Sequence, residues 1–134
     1  MRATFLVLTL CLFGWTSQAG PPDPEIERTI QQQLEAFQED DFEAAFDHAS
    51  PMIRSLFGSA ERFGQMVESG YPMVHRWGAV AFLDLQEIDG RLWQMIEITD
   101  VDGGWHRLAY QMLEGPDGWK INAVEILKPT GLAV

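Results

Sequence analysis

The chain has 134 residues, 46% of them hydrophobic, and a formal charge of −11 from 20 acidic and 9 basic side chains. That is enough for one domain with a single core, and an acidic surface of this kind repels nucleic acid and anionic membrane. Cys11 is the sole cysteine and lies close to the N-terminus, so the rest of the chain can form no disulfide or thiolate site.

Arg2 precedes an apolar run from Ala3 to Trp15, followed by Thr16-Ser17-Gln18-Ala19-Gly20. A basic start, a short greasy stretch and small residues at Ser17 and Ala19 predict a secretory signal peptide, residues 1–19, cut after Ala19. The run is too short for a permanent membrane anchor. Bulky Leu8 and Leu10 around Thr9 argue against lipidation at Cys11, which therefore leaves with the leader. On this reading the mature chain is a single domain of residues 20–134, secreted to the periplasm, with 8 basic and 20 acidic residues. Pro21, Pro22 and Pro24 favour a loose linker at its start.

Between Asp23 and Asp47 nine acids are opposed only by Arg28. A solvated helical face explains them more simply than a docking site for a cationic partner. Asp23 can cap a first helix with Pro24 at its first position. Ile26, Ile30, Leu34 and Phe37 then recur at helical spacing as its buried stripe. Asp40 with Glu43 predicts a capping box for a second helix carrying Phe42, Ala45, Phe46 and Ala49. Ser50-Pro51 starts a short helix with Met52, Ile53, Leu56 and Phe57 as core, closed by Gly58. Ser59 caps another, with Phe63, Met66 and Val67 inside and Gly70 as its stop. From Tyr71 to Trp77 the chain is expected to be extended, because a residue before proline avoids helix.

Four strands follow, at about 79–87, 92–99, 105–114 and 119–127, separated by three Gly-containing bends. Asp89-Gly90 suits a two-residue loop that pairs Ile88 with Arg91. The bends ending at Gly103 and Gly118 suit three-residue loops, pairing Asp100 with Gly104 and Gly115 with Trp119. Extending these pairings assigns Ala81, Leu83, Leu85, Leu92, Ile96, Ile98, Leu108, Met112, Val124 and Ile126 to a helix-covered face. Gln94, His106, Tyr110 and Asn122 share it. Phe82, Trp93, Met95, Trp105, Trp119 and Ile121 fall on the other face with the Glu97–Arg107 pair. The expected fold is α+β: N-terminal helices over a strongly curved four-stranded antiparallel meander.

Three segments carry a family resemblance: Asp40-Asp41-Phe42-Glu43-Ala44-Ala45-Phe46, Ala49-Ser50-Pro51 and the closing Asp117-Gly118-Trp119-Lys120-Ile121-Asn122. In that order they resemble the nuclear transport factor 2-like superfamily. Phe63-Gly64-Gln65-Met66-Val67 leading to Gly70-Tyr71-Pro72-Met73-Val74 is similar to a bacterial branch, domain of unknown function 4864. The resemblance implies a cone in which helices close over a bent sheet, often around a cavity and often paired through the sheet's outer face. Its steroid-isomerase members use an Asp base with Tyr and acid donors. The first helix here has no Tyr, so no catalytic residue transfers.

Gln94, His106, Tyr110 and Asn122 on a buried face need partners or a lined cavity, and they are the candidate ligand-binding set. A self-satisfied network is the plainer alternative. His75 and Arg76 in the connector are candidates for the cavity mouth, where they would attract an anion, and a surface loop with one salt bridge is the plainer alternative. His106 and Tyr110 are the candidate acid–base pair for a lyase or isomerase, although no carboxylate is expected to orient the imidazole. Asp100, Asp102 and Gly103 lack the later ligands of a calcium loop. His48, His75 and His106 lack metal spacing. No metal or cofactor is expected.

The leading expectation is a binding or accessory domain holding a small apolar or mildly anionic molecule, or a partner segment. A small lyase or isomerase and a purely structural dimeric module are the alternatives. Trp93, Met95, Trp105 and Trp119 on the outer face predict a homodimer.

Overall fold

The computed structural model describes residues 19–128. Residues 1–18, which hold Cys11 and nearly all of the expected signal peptide, and residues 129–134 lie outside the described residues. Local capping explains where most helices start. The Asp23 carboxylate accepts from the backbone N–H groups of Glu25 and Ile26, at 2.9 and 3.3 Å, and opens α1 (Pro24–Gln38). Its stripe of Ile26, Ile30, Leu34 and Phe37 is buried as expected.

The second cap is shifted by one residue. Asp41, not Asp40, accepts from Ala44 N–H at 3.1 Å and starts α2 (Phe42–Asp47). Asp40 sits in the left-handed region at φ 54° and turns its carboxylate elsewhere. Ser50 and Ser59 cap α3 (Pro51–Phe57) and α4 (Ala60–Gly70), and Gly58 ends α3 at φ 79°, where a side chain would be strained. Gly64 in α4 meets a different demand: the Phe42 ring lies 2.6 Å from where a Cβ would stand.

Two further expectations in the helical half fail. No residue of α3 is fully buried, and Met52 and Leu56 are 59% and 72% exposed. The Tyr71–Trp77 connector is not fully extended, because α5 (Pro72–His75) forms one helical turn. The steric rule before proline binds only Tyr71, at φ −135°, while Pro72 occupies a first-turn position where its missing N–H costs nothing.

The sheet is antiparallel and open, in the order β1 (Ala19–Gly20), β2 (Trp77–Ile88), β3 (Arg91–Asp100), β4 (Trp105–Gly115), β5 (Gly118–Leu127). Four strands are long, and β1 is a two-residue edge on β2. Ile88 pairs with Arg91, and Asp100 N–H reaches Gly104 O at 2.7 Å, as the bends predict. Between β3 and β4 the whole expected register holds: Gln94 faces Tyr110, Glu97 faces Arg107 and Ile98 faces His106.

Two of the three register shifts in the long strands, both bulges, correct the rest of the expected register. Gly115 pairs with Gly118, not Trp119, and the register then shifts at Asn122 so that Gln111 meets Ala123 and Tyr110 meets Val124. Between bend and bulge the side chains exchange faces. Ile121 is therefore buried and Trp119 packs against the core, contrary to their assignment outside. A second shift lies between Phe82 and Leu85, where Phe82, not Leu83, pairs with Ile96. Val80 and Phe82 consequently pack on the core, whereas Ala81 is exposed and Leu83 is 37% exposed. Ile126 pairs with buried Leu108 but stands exposed on the edge strand. The outer face keeps Trp93, Met95 and Trp105, the last of them exposed. Both bulges give the strands the extra local twist that such insertions bring.

Candidate functional site: a cavity between helices and sheet

Helices α1, α3 and α4 meet the β4–β5 half of the sheet around a cavity of about 380 Å³. Phe37 reaches it from α1, Ile53 and Phe57 from α3, Phe63, Met66 and Val67 from α4, and Val124 from β5. Exposed Met52 and Leu56 also line it, which makes α3 its solvent edge. None of the lining residues carries a charge. Size and chemistry match an apolar small-molecule pocket with a few polar groups.

Those polar groups differ in how far they are already satisfied. Gln33 Nε2 donates to Ala45 O at 3.1 Å, and Tyr71 Oη donates to Val124 O at 3.0 Å. Asn122 closes the β5 bulge: its Oδ1 accepts from Ser50 Oγ, and its Nδ2 donates to Gln111 Oε1, both at 2.7 Å. Ser50 N–H to Ile121 O (2.9 Å) and Ile121 N–H to His48 O (2.8 Å) tie the same bulge to the segment entering α3. Tyr110 is the exception. It is 0% exposed, and among the described residues its hydroxyl is the buried side-chain polar atom without a hydrogen-bond partner. Burial, followed by the proximity of Tyr71, pushes that hydroxyl above its ordinary value, so it remains a protonated donor.

Of the six residues singled out from the sequence, Tyr110 and Asn122 line the cavity and the other four do not. Gln94 stands opposite Tyr110 but spends its amide on Leu83 O and Met95 O, at 3.0 and 2.9 Å. It stitches the β2 bulge. His75 and Arg76, candidates for the mouth, hold the α1–α2 corner, which is the surface salt-bridge alternative. His75 Nε2 lies 2.7 Å from Asp40 Oδ1, and Arg76 forks onto both Asp40 oxygens at 3.0 and 2.9 Å. Arg76 also donates to Phe37 O at the end of α1. Asp40, Glu68 and His75 lie close enough together to offer three metal-ligand atoms, but the Arg76 guanidinium already neutralises Asp40.

His106 does have an orienting carboxylate, contrary to expectation. Its Nε2 lies 2.8 Å from Asp100 Oδ2, while Asp100 Oδ1 accepts from the N–H groups of Asp102 and Gly104. The carboxylate belongs to the bend itself. The His106 bond, and then those backbone donors, hold Asp100 below the usual carboxylate range. This pair sits at the β3–β4 turn, four residues along β4 from Tyr110. At roughly 3.3 Å per residue the two are about 13 Å apart, so they do not meet as an acid–base pair across one small ligand.

The sequence reading missed Gln33, Ser50 and Tyr71. Gln33 carried a signal, since it lies three residues after Ile30 and four before Phe37 on the buried stripe. Ser50 was legible only as a cap. Nothing local marked its second bond, to a residue 72 positions away.

Fold and cavity together describe an α+β domain with a small apolar chamber under its helices. Residues 20–134 match the family described as Domain of unknown function (DUF4864), and the chain belongs to it. No curated protein and no solved structure matches the chain.

Proposed function

We propose that this chain is an exported binding or accessory domain that holds one small, largely apolar molecule in the cavity between helices and sheet. The carrying observation is an apolar cavity whose lining includes Tyr110, a buried residue whose hydroxyl has no protein partner. Export rests on the leader-like sequence before Gly20. The order of helices and meander supports a nuclear transport factor 2-like fold. The sequence left room for a mildly anionic ligand, but an uncharged wall and the diversion of Arg76 to Asp40 favour a neutral one. At about the 30 Å³ that a water occupies, the cavity holds on the order of a dozen non-hydrogen atoms. The distance between His106 and Tyr110 weighs against the lyase or isomerase reading.

Native mass spectrometry of freshly isolated protein should show a co-purified small molecule, and a doubled mass if Trp93, Met95 and Trp105 pair two subunits. Val124→Trp, which places an indole in the chamber, should weaken binding of the neutral ketone butyrophenone, measured by equilibrium dialysis, at least tenfold while the protein stays folded. Equal butyrophenone affinity in the variant would remove the cavity as the site.

A further inference from the structure

Resting on the cavity reading above, we propose that the occupant's polar end is an uncharged hydrogen-bond acceptor, a ketone, ester or amide carbonyl, that enters first and accepts from Tyr110 Oη. The apolar remainder then runs toward Met52 and Leu56 at the solvent edge.

A buried hydroxyl with no partner carries a desolvation cost of about 1–3 kcal/mol, and natural cores rarely leave such a group unpaired. Tyr110 is such a group on the chamber wall. The neighbouring donors are already engaged: Tyr71 Oη with Val124 O, the Gln33 amide with Ala45 O, and the Asn122 amide with Gln111. Tyr110 Oη is thus the buried polar side-chain atom of the lining with no partner at all, and the lining holds no cation. A carboxylate or phosphate brought there would lose its hydration without gaining a countercharge. A carbonyl oxygen gives up much less solvation and meets a donor already in place. The two ends of the chamber are also distinct, because Tyr110 is fully buried while Met52 and Leu56 are mostly exposed. A molecule with one polar end therefore has a single favourable orientation.

The test uses three probes of similar size: butylbenzene, butyrophenone and 4-phenylbutyrate. Their affinities are measured by equilibrium dialysis at about pH 7 for the protein and for Tyr110→Phe. The ratio of ketone to hydrocarbon affinity should fall about five- to tenfold in the variant, the worth of one neutral hydrogen bond. The hydrocarbon itself should bind no more weakly to the variant, which also serves as the check that the chamber is intact. An unchanged ratio with the hydrocarbon still bound would leave the cavity standing and overturn the carbonyl assignment alone. Tightest binding by 4-phenylbutyrate would overturn it too. If none of the three binds the unaltered protein, the cavity reading itself is lost and this inference goes with it.

Discussion

Gln94 and Tyr110 face each other across β3 and β4, both fully buried on the same side of the sheet, yet they stand in opposite states. Gln94 gives two hydrogen bonds to backbone carbonyls, and Tyr110 gives none. A polar side chain on a covered face is therefore not in itself a sign of function. What separates the two is whether the fold supplies the partner. Gln94 is needed because the β2 bulge frees the Leu83 carbonyl, and Tyr110 lies in the wall of a chamber with no partner for its hydroxyl.

That contrast can be broken most severely at Gln94. Gln94→Leu keeps the size but leaves Leu83 O and Met95 O without the amide, and should cost about 2–3 kcal/mol of stability. Urea unfolding measures it. A loss below about 0.5 kcal/mol would mean that water replaces the amide and the bulge does not depend on it. The opposite sign is expected one strand away. Tyr110→Phe removes a hydroxyl that is buried without compensation, and the ligand-free variant should gain about 1 kcal/mol, or several degrees in Tm. Destabilisation there would show that the hydroxyl has a partner within the empty protein.

A smaller effect is expected at the exposed corner where His75 and Arg76 were sought as ligand groups. The Arg76 guanidinium, and then His75, hold the Asp40 carboxyl below its ordinary value of 3.8. Because the folded value is the lower one, Asp40 contributes fully above about pH 4, and the contribution fades as pH falls through the folded value. Asp40→Asn should thus shrink the difference in urea midpoint between about pH 6 and pH 3. An undiminished difference would show that the exposed pairs contribute nothing, as surface ion pairs often do.

Much of the fold was legible because its signals are local. Asp23 before Pro24, Ser50 before Pro51 and Ser59 mark helix starts through bonds spanning two or three residues. Asp89-Gly90 and Gly103 define their bends through backbone angles that those residues adopt readily. Hence β3 and β4, joined by a well-specified bend, were paired correctly along their length. The candidate site was only partly legible. Tyr110 and the apolar wall came through, but α3 was read as core although its Met52 and Leu56 form the solvent edge.

The sequence by itself determined the order and type of elements and the turn chemistry, since each depends on neighbours a few bonds away. Tertiary structure decided where β2 and β5 bulge, and so which way Phe82, Leu83, Trp119 and Ile121 point. The bulge in β2 is satisfied by a side chain 11 residues distant, and the one in β5 by a serine 72 residues distant. Only a folded chain can bring such partners within hydrogen-bond reach. The same long-range packing leaves Tyr110 in the wall of a chamber and sends Arg76 to Asp40.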